Sequence, residues 1–226
     1  MALSLRLSTI LNLAQGSSIL ADIGTDHAYL PIEACNANLC NNAIACDINK
    51  GPLETAAANI KAAGLSNRIE TRLGDGLRPL HFNEADCIVI SGMGGMRIWN
   101  ILQNEPEKAR YAKKLILQPQ HDLEELRKNL HGSGYDITAE KLVLEDSRFY
   151  TILVAAYTGE VTAWTEQEYF FGKYLAESED FLQYLHYHQD KIARYIQSIS
   201  DDDARQLAQM RLKWIEGKIR KISRRD

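Results

Sequence analysis

The chain has 226 residues, 45% of them hydrophobic, which is enough to bury a full core in one ordinary domain with an appendage. No stretch is apolar enough to span a bilayer, and the N-terminal segment lacks the pattern of a secretory signal, so we expect a cytoplasmic protein with no membrane partner. The net charge of -4 excludes a globally basic nucleic-acid binder but allows a local basic patch. The cysteines lack paired C-x-x-C spacing and no histidine cluster accompanies them, so we expect reduced, buried thiols and no metal site.

Short apolar runs alternate with amphipathic segments in the first half of the chain. The runs at 18–23, 43–47, 68–73, 86–90 and 114–118 are predicted strands. Start and stop signals predict a helix from Pro52 to Ala63, and Asp122 with Glu125 resembles the start of a helix that runs to about His131. This alternation predicts a parallel sheet with helices on both faces.

Two further strand-like runs, 135–144 and 148–157, are joined by only three residues. So short a link cannot hold a crossover helix, and the pair must therefore be antiparallel. Five parallel strands that close with an antiparallel pair resemble the class I methyltransferase variant of the doubly wound fold. We therefore expect an α/β protein with a Rossmann-like, mostly parallel sheet of seven strands.

The C-terminal part is predicted to be helical. Thr165 and Glu168 form a capping box, and apolar residues then recur at steps of four and three from Tyr174 to Ile199 and again from Ala204 to Ile222. Two helices joined by a short turn should pack as an antiparallel coiled-coil hairpin. We place the α/β domain at residues 1–160 and the helical coiled-coil domain at 161–226.

Acidic and glycine residues follow the predicted strands in register. In open α/β sheets, ligands bind beyond the carboxyl ends of the strands. An acid at the second strand end can accept both ribose hydroxyls of an adenosine, in nicotinamide enzymes and in S-adenosylmethionine (SAM) enzymes alike, and Asp47 fits either. The residues at the strand ends are Asp22 and Gly24, Asp47, Asp75 and Gly76, and Ser91 to Met93.

The loop after the first strand discriminates between these cofactors. A pyrophosphate needs the close backbone approach that a G-x-G-x-x-G sequence allows. This loop instead carries the negative Asp26 and the bulky His27 and Tyr29, which would suit the ammonium and sulfonium of SAM. The alternative is that Asp26 caps the helix that starts near Tyr29, that His27 is solvated, and that Asp75 is only a turn residue.

Five motifs resemble, in order, those of the bacterial tRNA adenine-N1-methyltransferases that modify position 22 of tRNA. They are DIGTDHAYLP, CDINKGPLETAAANI, GDGL, ISGMGG and LILQP, and the resemblance covers essentially the whole chain. Thr25 stands where serine is common in that family, which conserves the hydroxyl group. The resemblance implies SAM as methyl donor, a SAM-dependent methyltransferase domain at 1–160, and a coiled-coil domain that helps to hold tRNA. We infer no obligate protein partner.

The resemblance also implies roles for individual residues. The methionine part would lie among Asp22, Gly24, Thr25, Asp26 and His27. The adenosine would lie on Asp47, Ile48, Asp75 and Gly76. The methyl group would meet its acceptor at Ser91, Gly92, Met93 and Gly94. Adenine N1 carries a lone pair and needs no deprotonation, so catalysis should come from positioning and charge stabilisation. Asp26 is the candidate for stabilising charge or orienting N6, and Tyr29 for stacking or hydrogen bonding.

The fourth strand lacks the [N/D]-P-P-[Y/F] sequence that suits methylation of exocyclic amines, so we expect a ring nitrogen or another acceptor instead. Because N1 lies on the pairing edge, the base must be unpaired or flipped before reaction.

Basic residues could supply a tRNA-binding surface despite the acidic total. Four lie on the N-terminal segment or near strand ends: Arg6, Lys50, Arg78 and Arg97. Others crowd the terminal helix: Arg211, Lys213, Lys218, Arg220, Lys221, Arg224 and Arg225. Favourable interaction with the helix dipole explains several of the second group without RNA.

Three alternative functions are compatible with some of these sequence features. A SAM methyltransferase of a small molecule or a protein would share the cofactor residues. A non-catalytic RNA-binding protein could retain the fold without binding SAM. A nicotinamide oxidoreductase ranks last, because the first loop is unsuited to pyrophosphate.

Overall fold

The computed structural model describes residues 3–224. The strands are β1 (Ser17–Ile23), β2 (Cys40–Asp47), β3 (Ile69–Leu73), β4 (Cys87–Met93), β5 (Lys114–Pro119), β6 (Tyr135–Glu145) and β7 (Arg148–Tyr157). The helices are α1 (Leu5–Ala14), α2 (Tyr29–Asn36), α3 (Lys50–Ala62), α4 (Gly95–Asn104), α5 (Pro106–Tyr111), α6 (Leu123–Gly132), α7 (Glu166–Phe171), α8 (Glu179–Ser198) and α9 (Asp202–Ile222).

The seven strands form one sheet in the order β3-β2-β1-β4-β5-β7-β6. The first five strands of this order are parallel, and β7 runs antiparallel to both β5 and β6. The predicted sheet, with its closing antiparallel pair, is confirmed. The hairpin turn is tighter than predicted, because β6 extends through Glu145 and leaves Asp146 and Ser147, both with positive φ, as the two turn residues.

Hydrophobic residues pack on both faces of the sheet. On one face, α4 and α6 pack Ile98 and Leu126, among others, against inward side chains of β4 and β5. On the other face, α1, α2 and α3 contribute Ile10, Leu30 and Ile60. Burial on both faces explains the nearly continuous apolar runs of β1, β4 and β5, because a parallel sheet covered by helices has no solvated face.

Helix starts differ from the prediction at α6. Asp122 is the residue before its first turn, as predicted, but it adopts a left-handed conformation (φ 57°, ψ 34°) and its side chain makes no capping hydrogen bond. The carboxylate instead contacts His121. At α7 the predicted capping box of Thr165 and Glu168 is confirmed, with both reciprocal hydrogen bonds present.

The sequence predicts one continuous apolar helix face from Tyr174 to Ile199, but the helix there begins only at Glu179. A break between α7 and α8 places Tyr174 ahead of α8, and Ser178 is the N-cap of α8, where its hydroxyl accepts from the Phe181 amide at 3.3 Å. The two long helices α8 and α9 contact each other. Their buried residues are Phe181 and Leu185 on α8 and Ala208, Ile215 and Ile222 on α9.

The chain divides into two compact units after Tyr174, whereas the change in composition had suggested residue 160. The intervening segment is attached to α6. Arg127 Nη1 donates to the carbonyl oxygens of Tyr169 and Phe170 at 2.9 and 3.2 Å, and His131 Nδ1 lies 2.7 Å from the Tyr169 hydroxyl. Side-chain anchoring of this kind leaves little trace in composition.

The sequence predicts buried, reduced cysteines and no membrane-spanning segment. All four cysteines are free and buried. Within residues 3–224, every helix is too short or too polar to traverse a lipid bilayer.

Candidate functional site

A pocket of about 270 Å³ opens at the carboxyl edge of the parallel strands. It lies where β1, β2, β3 and β4 end, and the first turns of α4 close one side. Its lining residues are Ile23, Gly24, Cys46, Asp47, Ile48, Asn49, Gly74, Asp75, Gly76, Ser91, Gly92, Met93, Arg97 and Ile101. Eight of the residues predicted to bind a cofactor therefore share one pocket, because parallel strands deliver their ends to the same edge.

The end of β1 turns sharply under the pocket. Gly24 has φ 78°, and a Cβ atom there would collide with the Met93 methyl group. The amides of Gly24 and Thr25 both donate to the Cys46 carbonyl, at 2.8 and 3.0 Å. The positive φ is what favours glycine here, since the Met93 methyl group lies at the end of a flexible side chain that could move aside.

Asp22 lies behind this turn and is only 5% exposed. Its carboxylate accepts a hydrogen bond from the Thr25 hydroxyl at 2.7 Å. Burial raises the pKa of Asp22 to about 6, although the Thr25 hydrogen bond opposes the shift. A carboxyl group held in such surroundings is a candidate partner for a cationic ligand group.

The loop that follows carries three predicted site residues outside the pocket lining. Asp26 is exposed, its carboxylate lies 3.4 Å from His27 Nε2, and the rings of His27 and Tyr29 are 5.2 Å apart. Asp26 and Ala28 both have positive φ, 51° and 58°. Ala28, without a side-chain hydrogen bond, is the N-cap of α2, so the alternative that Asp26 caps this helix is wrong.

The ends of β2 and β3 form the opposite wall. One Asp47 carboxylate oxygen accepts the Asn49 amide at 2.8 Å, which fixes the carboxylate at the pocket. Ile48 is 49% exposed, as expected of an apolar residue that offers a surface to a ligand. Gly76 has φ 57°, and a Cβ there would press on Ile101 at 3.0 Å.

The end of β4 is supported by a residue that the sequence analysis missed. Gln118, at the end of β5, is fully buried, and its side-chain oxygen accepts from the Gly92 amide at 3.1 Å and from Arg6 Nη1 at 2.8 Å. The sequence does mark Gln118, as a polar residue within the otherwise apolar LILQP run. Asn49 and Arg97 line the pocket without having been predicted as cofactor residues.

The predicted RNA-binding residues lie in different surroundings. Lys50, Arg78 and Arg97 are exposed, as are Arg220 and Lys221 in the last turn of α9. Arg6 is only 23% exposed and lies beside Glu145 as well as Gln118. Lys218 pairs with Glu177 at 2.7 Å, Arg211 is half-buried, and Arg225 lies outside the described residues. Among residues 3–224, no group of three or more His, Cys, Asp or Glu side chains could hold a metal ion.

Residues 20–224 match the model of the TrmK family, tRNA (adenine(22)-N(1))-methyltransferase. The chain belongs to this family. It is 39% identical over 153 residues to the tRNA (adenine(22)-N(1))-methyltransferase of Bacillus subtilis, a match that spans 68% of this chain and 64% of that enzyme. The chain thus spans slightly less than two thirds of that TrmK enzyme's length.

Solved structures extend the likeness to the whole fold. Sp1610 of Streptococcus pneumoniae, in complex with S-adenosyl-L-methionine, is 30% identical with a TM-score of 0.88, covering 96% of this chain and 100% of that one. TrmK of M. capricolum, in complex with S-adenosyl-homocysteine, is 29% identical with a TM-score of 0.87, covering 98% of this chain and 100% of that one.

Proposed function

We propose that this protein transfers the methyl group of SAM to N1 of the adenine at position 22 of tRNA. The observation that carries the proposal is the pocket in which the strand-end motifs of a TrmK-family chain converge. Relatives of the same fold hold SAM or its demethylated product. As a tRNA-modifying enzyme, the protein would act in the cytoplasm.

The pocket fits SAM in its chemistry. Asp47 would accept the ribose hydroxyls, Ile48 would cover a face of the adenine, and Asp75 with Gly76 would lie at the adenine edge. Gly24 and Gly76 let the chain turn tightly at the pocket, since a Cβ at either would press on a pocket-lining side chain, Met93 or Ile101. The buried Asp22, held by Thr25, and the nearby Asp26 and His27 would surround the cationic methionine part.

The acceptor would meet the methyl group at Ser91, Gly92 and Met93. SAM supplies an electrophilic methyl on sulfur, and the adenine supplies the N1 lone pair in the base plane. No general base is required, because N1 bears no proton in the neutral base. We propose that Asp26 stabilises the charge that develops on the base or orients N6, and that Tyr29, 37% exposed, stacks on the base or hydrogen-bonds to it.

The two parts of the chain would divide the task. We propose that the methyltransferase domain, predicted at residues 1–160, includes the segment up to Tyr174, and that in the helical domain, predicted at 161–226, α8 and α9 make a coiled-coil hairpin that helps to hold tRNA. Its support is the exposed basic group at the end of α9, together with the exposed Lys50, Arg78 and Arg97.

The proposal is tested by transfer of labelled methyl from SAM to unmodified tRNA transcripts, followed by nuclease digestion and nucleoside mass analysis. We expect 1-methyladenosine that disappears when adenine 22 is replaced by guanine. Transfer that persists on the replaced transcript would contradict the position.

The same assay separates the alternatives. SAM binding without tRNA labelling would favour a small-molecule or protein substrate, and failure to bind SAM would favour a non-catalytic RNA-binding protein.

Asp26→Ala should lose turnover while still binding SAM, and Tyr29→Ala should lower turnover. Wild-type turnover in either variant would contradict the role of that residue.

A further inference from the structure

The loop between β5 and α6, Gln120 to Asp122, is exposed and makes no part of the pocket lining. It is nevertheless held firmly against the end of β4. The Gln120 amide donates to the Met93 carbonyl at 2.8 Å, and the Gly95 amide donates to the His121 carbonyl at 2.9 Å. A loop bonded on both sides of Met93 and Gly94 has a fixed position relative to the residues proposed to meet the methyl group.

Two glycines allow this close approach. A Cβ on Gly94 would collide with the His121 imidazole ring, and a Cβ on Gly95 would meet the Asp122 carbonyl oxygen at 2.5 Å. The His121 ring therefore lies directly on the Gly94 backbone. Of the two glycines of ISGMGG that follow Met93, Gly94 thus makes room for this ring and Gly95 makes room for the loop backbone at His121 and Asp122.

His121 and Asp122 form a pair. Asp122 Oδ2 lies 2.7 Å from His121 Nδ1. The His121 side chain is 68% exposed and the Asp122 side chain is 42% exposed. An ionised carboxylate can only accept, so Nδ1 carries the proton, and in the neutral imidazole the lone pair is then on Nε2. Asp122 makes this contact in a left-handed backbone conformation, and its side chain does not cap α6.

The order of strands shows which side of the cofactor pocket this pair occupies. Along the carboxyl edge the ends follow as β3, β2, β1, β4 and β5. The pocket uses the first four ends, and the proposed adenosine site at Asp47 lies at the far side from β5. The acceptor must approach the methyl group from the side that the cofactor leaves open, which is the β5 side.

We propose that His121 recognises the target base through acceptance by Nε2 of a hydrogen bond from one N–H of the adenine 6-amino group, while Asp26 stabilises the charge that develops on the base. This inference rests on the proposed methyl transfer to adenine N1. During transfer the N1–methyl bond forms as the sulfur–methyl bond breaks, and the electron pair of the broken bond stays on sulfur. The base gains the positive charge, which spreads to the 6-amino group and makes its N–H a stronger donor.

An acceptor at Nε2 therefore binds the transition state better than the substrate. The hydrogen bond also selects adenine, since guanine presents a carbonyl oxygen at the same position. Asp122 acts as a positioning residue that holds the tautomer. No proton needs to leave the base during the transfer.

The experiment compares His121→Phe with His121→Gln in single-turnover methylation of a transcript with adenine 22. Phenylalanine keeps a ring on Gly94 but has no acceptor, whereas glutamine offers a carbonyl oxygen. We expect His121→Phe to reduce the rate about 10- to 100-fold, as for loss of one hydrogen bond to a charged group, and His121→Gln to retain a larger part of it. SAM affinity by calorimetry should be unchanged in both.

A second transcript with purine at position 22 lacks the 6-amino group and tests the partner atom. The ratio of wild-type to His121→Phe rates should fall toward one on this transcript. Exposed His81 supplies the matched control, and His81→Phe should keep the wild-type rate on both.

Each result decides between specific alternatives. His121→Phe at the wild-type rate on adenine, or an equal loss on adenine and purine, would overturn the role of His121 while leaving the methyl transfer in place. A wild-type enzyme that produces no 1-methyladenosine would overturn the proposed function itself, and this inference with it.

Discussion

At the scale of single residues, the buried carboxyl group of Asp22 affects how stability depends on pH. Asp22 lies in the buried end of β1, where its carboxylate accepts a hydrogen bond from Thr25. Burial raises the pKa of its carboxyl group from 3.8 to about 6. The folded protein therefore gains from this group below about pH 4, loses that gain as the pH rises toward 6, and lacks it at pH 7.

Asp22→Asn should stabilise the ligand-free protein at pH 7, because asparagine can still accept from Thr25 and carries no charge. The gain relative to wild type should be on the order of 2–3 kcal/mol at pH 7 and should vanish near pH 4, measured by urea unfolding at both pH values. SAM affinity should fall in the same variant. Asp47→Asn is the control, since Asp47 is half-buried and should lose SAM affinity without gaining stability. Equal stability of Asp22→Asn and wild type at pH 7 would contradict the account.

At the scale of elements, the segment around α7 is joined to the sheet domain by a buried ion pair. Arg127 and Glu140 are fully buried side chains with Nε and Oε1 2.7 Å apart. Arg127 also donates to two carbonyls near the end of α7, and Glu140 accepts the Tyr174 amide at 3.0 Å. Gly172 is required beside them, because a Cβ there would press on both charged groups at 2.7 Å.

Arg127→Met should be strongly destabilising, by about 3–5 kcal/mol, because it leaves Glu140 as an unpaired buried charge. The double variant Arg127→Met/Glu140→Leu should recover part of the loss. Lys128→Met is a matched control on the adjacent position of α6, where the lysine is 33% exposed and pairs with Glu124 and Glu166, and it should cost less than about 1 kcal/mol. Urea unfolding measures all three, and a mild effect of Arg127→Met similar to the control would show that the pair does not anchor the segment.

At the scale of the whole molecule, the distribution of charge matters more than its sum. The chain has a net charge of -4, yet α9 ends in basic residues and begins with acidic ones. Dipole stabilisation accounts for part of this arrangement. Phosphate binding is the additional role that we propose, and the dependence of tRNA binding on ionic strength separates it from the dipole effect.

Arg220→Glu/Lys221→Glu should weaken tRNA binding and make its dependence on salt concentration shallower, by roughly 0.7–0.9 in log–log slope for each phosphate that is no longer neutralised. SAM affinity should not change. The matched control is Lys61→Glu/Lys113→Glu, which changes the net charge equally at two exposed positions. Filter binding across a salt series measures both variants. Equal weakening by the control would indicate a general charge effect rather than phosphate binding at α9.

The sequence by itself determined the sheet, its closing antiparallel pair, the α7 capping box and the clustering of Asp47, Asp75 and Ser91 at one edge. These follow from local patterns, because periodicity, turn length and the common edge of parallel strands need no distant contact. Only the tertiary structure decided the buried carboxyl of Asp22, the Gln118 contacts and the seat of His121 on Gly94. Gln118 joins Gly92 and Arg6 across 26 and 112 positions of sequence, and such pairings depend on how side chains pack.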